Sequence, residues 1–243
     1  MENSRESFLG KYYRKVYDFI CGEHPYLRPW HFQWLGTVYL ARTLKLRLPQ
    51  FKGRILDVGC GDKPYRRHFS QATAYVGIDV YQGGADIVVA PDEMWPLVDS
   101  SFDVVFATQV IEHVQSLPHT LGEIDRVCKS GGAIVMSFPF LYNEHGTPYD
   151  FQRLTTNGSS RLFPYEILTL ERQGGIGSTV VILILNWLEI SFNTNKLTRL
   201  FKVFVLPLWV PYCFAMNFLG LILDGIDCTN KFYSNVFVVF RKT

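Results

Sequence analysis

The sequence predicts an α/β fold whose sheet is mostly parallel and covered by helices on both faces. Short runs rich in β-branched and aromatic residues recur between residues 51 and 140, and helix-like stretches separate several of them. Alternation of this kind is typical of a doubly wound sheet. The first of these runs, residues 54–58, ends in two glycines two positions apart, Gly59 and Gly61. Such a turn after a parallel strand brings the backbone close to a ligand, so we organise the fold around it.

Composition limits the classes of protein to which the chain can belong. Its 243 residues are enough for one α/β domain with an elaboration. Apolar residues make up 48% and charged residues 19%, which indicates a folded chain. A net charge of +2 without a long Lys/Arg run predicts no nucleic-acid partner. Five scattered cysteines predict neither a disulfide framework nor a zinc site, and the lack of a signal-like stretch favours a cytoplasmic location.

The elements before and within the sheet follow from periodicity. Apolar residues at near-helical spacing indicate amphipathic helices over 5–20 and 29–48. After them we expect strands at 54–58, 74–79, 86–90, 102–107 and 133–138, and helices at 63–70 and 117–129. Right-handed crossovers place the carboxyl ends of strands 1, 2 and 4 along one edge, where a ligand is expected.

Asp79 strengthens the interpretation of the glycine turn as a ligand site. Gly59 and Gly61 alone are equally compatible with an ordinary tight turn. About 20 residues further on, the second strand ends in Asp79, where a carboxylate can accept hydrogen bonds from both hydroxyls of a ribose. A dinucleotide site would need a third glycine at the position of Pro64. These residues therefore predict a nucleoside ligand and argue against a nicotinamide dinucleotide.

With these motifs, the chain resembles the class I S-adenosylmethionine-dependent methyltransferases over residues 50–155. The run 57–61, Asp-Val-Gly-Cys-Gly, is similar to their first motif, and Asp79 to their ribose-binding acid. Residues 101–106 are similar to their fourth strand and 127–132 to the turn before their fifth. The resemblance implies a Rossmann-like seven-stranded sheet and S-adenosyl-L-methionine as cofactor. It also implies eight cofactor-binding residues: Asp57, Gly59, Cys60, Gly61, Asp79, Val80, Asp92 and Gln109.

Two of these roles rest on position within the resembled family. Asp92, preferred to its neighbour Glu93, stands where that family contacts adenine; a solvated loop is the alternative. Gln109 lies just beyond strand 4 and has the longest polar reach toward the methionine part of the cofactor. Glu112 and His113 follow at the start of the next predicted helix and are interpreted as a structural pair. No metal site is predicted.

The loop after strand 5, residues 143–155, is the predicted site of substrate chemistry. It carries Glu144, His145, Asp150 and Arg153 at the carboxyl end of a central strand. His145 is the predicted general base, because imidazole can remove a proton from a hydroxyl near neutral pH. Asp150 could orient it, and Arg153 could bind an acidic substrate group or pair with Glu144. The alternative is a polar loop closed by its own ion pairs.

The acceptor is predicted from the resemblance alone. The chain resembles most the type 11 branch of the family, including members associated with surface-glycan biosynthesis. That implies O-methylation of a sugar or a lipid-linked glycan. Methylation of a quinone, a prenyl lipid or another small molecule is the first alternative, and a non-catalytic cofactor-binding homologue is the second.

The last third of the chain is predicted to insert apolar helical structure before a final strand. Two apolar segments, 176–192 and 200–223, contain polar residues, and the second also contains two prolines. That composition favours an interfacial hairpin or a substrate cap, with Trp209 and Phe214 as anchors, over ordinary packing or a membrane span. The flanking strands are expected at 165–172 and 235–241, and the resemblance makes them strands 6 and 7, with strand 7 antiparallel between strands 5 and 6.

The whole chain, 1–243, is predicted to be a single methyltransferase domain. A peripheral membrane contact through 176–224 is predicted beside a small-molecule, glycan or lipid-linked substrate. The domain's parts are N-terminal helices at 1–50, a cofactor-binding core at 51–175, the insertion at 176–230 and the final strand at 231–243.

Overall fold

The computed structural model describes residues 11, 12, 15, 16, 19 and 28–243 of the chain. Within them, seven strands form a single sheet: β1 Lys52–Val58, β2 Gln71–Asp79, β3 Ile87–Val88, β4 Phe102–Thr108, β5 Cys128–Pro139, β6 Glu166–Gln173 and β7 Asn235–Arg241. The α-helices within 28–243 are α1 Trp34–Arg47, α2 Leu117–Val127, α3 Thr156–Ser159, α4 Ile176–Phe192 and α5 Lys196–Ile226. Across the sheet the strand order is β3-β2-β1-β4-β5-β7-β6.

Strand direction confirms the predicted fold class. β1 pairs in parallel with β2 and β4, β2 with β3, and β4 with β5. β7 runs antiparallel to both β5 and β6, between which it lies. The central strands are continuous apolar runs because both of their faces are covered. Their largest fully buried side chains are Phe102, Phe106, Phe138, Phe237 and Phe240.

The helix predicted over 63–70 is wrong. The segment forms turns and a single 3-10 turn at Arg66–His68. Lys63 has a φ of +56° and precedes Pro64, whose ring disfavours the helical conformation in the residue before it. Gly61 is therefore not followed by a helix N-terminus. The segment covers the sheet instead, because the Phe69 ring lies 5.4 Å from that of Phe106.

Other boundaries shift without changing the topology. The helix predicted at 29–48 begins later, at Trp34. β3 is shorter than predicted, and β5 begins earlier, at Cys128. The helix predicted at 5–20 lies largely outside the described residues.

The chain divides into two compact units. One contains Arg42–Gln173 with Ser234–Thr243, and therefore all seven strands and every predicted site residue. The other contains Met1–Ala41 with Gly174–Tyr233, and therefore α4 and α5. These two helices form the predicted insertion between β6 and β7. The single-domain organisation stays a prediction.

Within the second unit, α4 and α5 pack closely. A Cβ atom on Gly177 would lie 2.2 Å from the carbonyl oxygen of Gly220, so the helix backbones meet at this pair. Asp224 of α5 accepts from the backbone N–H of Ser178 in the first turn of α4 at 2.8 Å. α5 is one 31-residue helix despite Pro207 and Pro211.

Candidate active site

The turn after β1 has the geometry that its glycines predict. Gly59 and Gly61 have φ values of +64° and +50°, in the left-handed region that favours glycine. A Cβ atom on Gly59 would lie 2.4 Å from the Val110 side chain, whereas one on Gly61 would meet nothing within 4 Å. The Gly61 N–H donates to Asp79 Oδ2 at 2.8 Å, which joins the ends of β1 and β2. The side of Gly61 is therefore open to a ligand.

The carboxylate of Asp79 can accept further hydrogen bonds from a ligand on the open side of Gly61. Its Oδ1 accepts from the Tyr81 N–H at 3.0 Å, and its Oδ2 accepts from Gly61. Each carboxylate oxygen has two lone pairs, so both can accept a second hydrogen bond from a ribose hydroxyl. The next residue, Val80, is 45% exposed, and its contact with the cofactor stays a prediction.

Asp57 and Cys60 lie beneath the turn instead. Asp57 is buried and accepts a hydrogen bond from the Tyr75 hydroxyl. Burial raises its pKa to about 7. The Cys60 thiol is also buried, and burial raises its pKa to about 11. The side chains of these two residues are therefore buried on either side of Gly59, and their contact with a cofactor stays a prediction.

A second loop closes on the glycine turn, and sequence reasoning missed it. The Gly84 N–H donates to the Gly61 carbonyl at 3.1 Å, and a Cβ atom on Gly84 would lie 3.0 Å from the Asp62 backbone. Lys63 pairs with Asp86 at 2.6 Å, which ties the turn to the end of this loop. The dipeptide Gly83-Gly84 shortly after Asp79 is the signal that could have indicated it.

The loop that carries Asp92 is anchored to α2. Asp92 itself is exposed and has a φ of +60°. Three residues later, the Trp95 N–H donates to Glu123 Oε2 at 2.7 Å, and its carbonyl accepts from Arg126 at 3.0 Å. The loop is therefore held against α2 at Trp95. A contact between Asp92 and adenine stays a prediction.

Gln109 is fixed by neighbours in the sheet. It lies just beyond β4 with a φ of +56°. Its amide nitrogen donates to Asn235 Oδ1 at 3.0 Å and to the Ser137 hydroxyl at 3.3 Å. These contacts tie it to β7 and β5, and its contact with the methionine part of the cofactor stays a prediction.

In the loop after β5, Asp150 accepts hydrogen bonds from two other residues of the loop, His145 and Arg153. Its side chain is 2% exposed and receives both terminal guanidinium nitrogens of Arg153, one of them at 2.6 Å. The Arg153 hydrogen bonds hold the pKa of Asp150 down at about 2. The predicted pairing of Arg153 with Glu144 is wrong, because a buried carboxylate requires the counter-ion more than an exposed one does. Glu144 accepts from the Thr147 hydroxyl instead, at 2.9 Å.

Asp150 contacts His145 mainly through the backbone. The His145 N–H donates to Asp150 Oδ2 at 2.9 Å, whereas the same oxygen lies 3.5 Å from the ring atom Nδ1. Nδ1 lies nearer the Asn143 carbonyl, at 3.3 Å. Burial lowers the pKa of His145 below its usual value, so the ring is neutral at pH 7. The general-base role of His145 stays a prediction.

Glu112 and His113 lie in a 3-10 turn, Ile111–His113, and not at the start of a helix. The Glu112 side chain is 1% exposed, and neither of its oxygens has a hydrogen bond among the described residues. Burial raises its pKa to about 7. The His113 Nε2 lies 3.9 Å from Glu112 Oε1, too far for a hydrogen bond. Glu112 and His113, which were predicted to form a structural pair, are therefore neighbours without a hydrogen bond between their side chains.

The structure brings this pair next to the loop after β5. The rings of His113 and His145 lie 4.9 Å apart. The Phe151 N–H donates to the Glu112 carbonyl at 2.7 Å, and the His113 Nδ1 bonds to the Tyr149 carbonyl. The two segments therefore form one polar site at the carboxyl ends of β4 and β5.

Comparison with known proteins agrees with this geometry. A family model described as a methyltransferase domain matches residues 56–136. The malonyl-[acyl-carrier protein] O-methyltransferase of Pectobacterium atrosepticum is 28% identical over 134 residues, which are 50% of this chain and 53% of that protein. The chain thus spans about half the length of this curated relative.

Solved structures show the same fold at low identity. An S-adenosylmethionine-dependent methyltransferase from Mesorhizobium loti aligns with a TM-score of 0.52 and 14% identity, over 86% of this chain and all of that one. The [4+2]-cyclase SpnF aligns with a TM-score of 0.54 and 18% identity, over 84% of this chain and 79% of that one. Because one of the two is a cyclase, the fold alone does not fix the reaction.

The residues at the turn fit the cofactor of the matched domain. The open side of Gly61 admits a ligand, and Asp79 has free acceptor positions for a ribose. Residues 56–136 are therefore a methyltransferase domain of the class I S-adenosylmethionine-dependent type, with S-adenosylmethionine as its cofactor.

Proposed function

We propose that the protein transfers a methyl group from S-adenosylmethionine to a hydroxyl oxygen of a sugar or a lipid-linked glycan. The observation that carries this proposal is the polar site formed by Glu112, His113 and the loop 143–153. This site directly follows Val110, whose side chain lies against Gly59 of the cofactor turn. When bound, S-adenosylmethionine supplies a methyl group that its sulfonium already makes electrophilic. The protein then has to hold an acceptor oxygen in line with that group and exclude water.

Each part of the site has a role in this proposal. Asp79 accepts the ribose hydroxyls, and the backbone at Gly61 lies against the ligand. In this proposal Asp92 contacts the adenine end of the cofactor and Gln109 the methionine end. His145, neutral at pH 7, takes the proton of the acceptor hydroxyl. Its Nε2 is the atom for this role, because Nδ1 lies between the Asn143 carbonyl at 3.3 Å and an Arg153 guanidinium nitrogen at 3.4 Å.

The charge balance of the site favours a neutral acceptor. Arg153 is the cation of the loop, and Asp150 neutralises it through both of its oxygens. A carboxylate acceptor would have to compete with Asp150 for that guanidinium. A sugar hydroxyl has no such requirement.

A malonyl thioester is the second candidate acceptor. The observation that favours it is the 28% identity to a malonyl-[acyl-carrier protein] O-methyltransferase. In that case the malonyl carboxylate would be the acceptor, and Arg153 would have to leave Asp150 to bind it.

A panel of acceptors tests both candidates. The purified protein is incubated with methyl-labelled S-adenosylmethionine and nucleotide sugars, polyprenyl-linked sugars, a quinol or malonyl-acyl carrier protein. Mass spectrometry should find a labelled methyl ether on a sugar. Label on the malonyl thioester or the quinol would replace the glycan by that acceptor. Tight cofactor binding without label on any acceptor would indicate a non-catalytic homologue.

We also propose a peripheral membrane contact through the insertion, with the protein otherwise cytoplasmic. One described segment, Phe204–Ile226, is long and apolar enough to span a membrane, and only 22% of its most apolar window is buried. By itself this is weak evidence. Exposed apolar side chains at spacings of three and four residues support a lipid-facing stripe on each helix. They are Val180, Leu183, Trp187 and Ile190 on α4, and Phe201, Phe204, Leu208, Leu219, Ile222 and Ile226 on α5.

The structure changes which residues test this contact. Trp209, predicted as an anchor, is 5% exposed and packs edge-on against Phe192, so its replacement would disturb packing. Phe204 and Leu208 are 74% and 72% exposed. Replacing both by serine should reduce flotation with liposomes several-fold without changing the affinity for S-adenosylhomocysteine.

Leu46 provides the matched control for this experiment. It is 73% exposed and lies on α1, outside the stripes. Leu46→Ser should therefore float like the wild type. A wild-type protein that ignores liposomes of both neutral and anionic lipids would contradict the membrane contact.

A further inference from the structure

We propose that Glu112, His113 and His145 form a binding site for a divalent transition-metal cation. One potential ligand atom from each residue lies within 4.8 Å of the other two. Two imidazoles and one carboxylate form a donor set that suits Zn²⁺, Mn²⁺, Co²⁺ or Fe²⁺. The sequence alone predicted no metal, because these residues belong to two separate loops.

The unsatisfied carboxylate is the first observation that supports the site. Glu112 is 1% exposed, and both of its oxygens lack a hydrogen bond among the described residues. Buried carboxylates are normally paired with a cation or coordinate a metal, because their desolvation is costly. The His113 Nε2 lies 3.9 Å from Glu112 Oε1, too far for a hydrogen bond. A bound cation would supply the missing partner.

The histidine partners are the second observation. The Nδ1 of His113 bonds to the Tyr149 carbonyl, which leaves the lone pair on Nε2, the atom that faces Glu112. His145 has Nδ1 3.3 Å from the Asn143 carbonyl and 3.4 Å from an Arg153 guanidinium nitrogen, so its Nε2 is the ring nitrogen without these contacts. Metal-binding histidines usually donate their second ring N–H to a carbonyl in this way, since it fixes the ring and the tautomer.

The required adjustment is small. Ligand atoms about 2.1 Å from a tetrahedral zinc lie about 3.4 Å from one another, so the widest separation must shrink by about 1.4 Å. Side-chain rotation can supply this. The surrounding backbone is tightly placed, because a Cβ atom on Gly146 would lie 3.2 Å from the His113 ring. Arg153, the cation nearest to His145, is already paired with Asp150.

The chemical role of this site rests on the proposed methyl transfer to a hydroxyl oxygen. Three protein ligands leave open coordination positions. Those positions can hold one or two neighbouring hydroxyl oxygens of an acceptor, and a cation makes a hydroxyl proton more acidic. The proton then leaves to water, and His145 is a metal ligand in place of a general base.

Metal binding is tested without any methyl acceptor. Untagged protein is stripped with a chelator, dialysed and titrated with Co²⁺ while the visible absorption bands are recorded. We expect one bound Co²⁺ per chain. Glu112→Gln and His113→Gln should each weaken binding by roughly 10- to 100-fold or more. The control His68→Gln, on the short turn after β1, should bind like the wild type.

The ligands are checked directly on the wild type, so the test does not depend on variants that fold. X-ray absorption of the Co²⁺ complex should show imidazole and oxygen ligands. No bound Co²⁺, a thiolate ligand, or equal binding by wild type and Glu112→Gln would overturn the site. Bound Co²⁺ without methylation of any acceptor would leave the site standing and contradict the proposed function. Methylation unaffected by both chelation and Glu112→Gln would overturn the site's chemical role.

Discussion

Asp79→Ala is expected to weaken binding of S-adenosylhomocysteine by roughly 10- to 150-fold for each ribose hydroxyl that the carboxylate accepts. A hydrogen bond to a charged group contributes more than one between neutral groups. The same substitution removes the acceptor for the Gly61 and Tyr81 N–H groups, so the turn loses its fixed conformation as well. Isothermal titration calorimetry measures the loss.

Two variants separate these effects. Asp79→Asn keeps one carbonyl oxygen as an acceptor but removes the charge, so it should bind with intermediate affinity. Asp62→Ala removes an exposed carboxylate from the same turn and should bind like the wild type. Wild-type affinity in Asp79→Ala would show that the ribose lies elsewhere. Tight binding of NAD without binding of S-adenosylhomocysteine would overturn the cofactor assignment.

The sheet and the cofactor turn could be predicted from the sequence because local pattern determines them. Strands buried on both faces are continuous apolar runs, and right-handed crossovers bring the carboxyl ends of strands 1, 2 and 4 to one edge of the sheet. Gly61 and Asp79 end two such strands that are neighbours in the sheet, so their contact follows from topology.

The segment after the turn shows where this reasoning stops. Apolar spacing over 63–70 fits a helix, but the Lys63-Pro64 dipeptide keeps Lys63 out of the helical conformation, and the segment forms only a 3-10 turn. Proline is common at the first position of a helix, so the sequence permits a helix from residue 64 and does not exclude the predicted one.

Other features depend on tertiary contacts and could not be read from local pattern. Arg153 pairs with Asp150 because that carboxylate is buried, which the loop sequence does not show. Both faces of α5 are apolar, so its sequence could not indicate that Trp209 is buried and Phe204 exposed. The proximity of Glu112 and His145 likewise requires two loops to meet.

His145→Ala is expected to reduce turnover on the true acceptor by roughly 10²-fold or more. The loss is expected whether His145 is a general base or a metal ligand. In both roles the ring, which follows β5 in the chain, provides a neutral nitrogen at pH 7. A residue that acts on the acceptor should leave cofactor binding nearly unchanged. The affinity for S-adenosylhomocysteine should therefore stay within a few-fold of the wild type, while kcat falls.

Comparing His145→Ala with Glu112→Gln decides between the two roles. If His145 is a general base, chelation should not slow the wild type, and Glu112→Gln should retain most of its turnover. If His145 is a metal ligand, both variants and the chelated wild type should lose activity together, since each removes the same cation. His68→Gln controls for the loss of an unrelated histidine. Normal turnover in His145→Ala, measured with saturating acceptor and cofactor, would remove the residue from the mechanism.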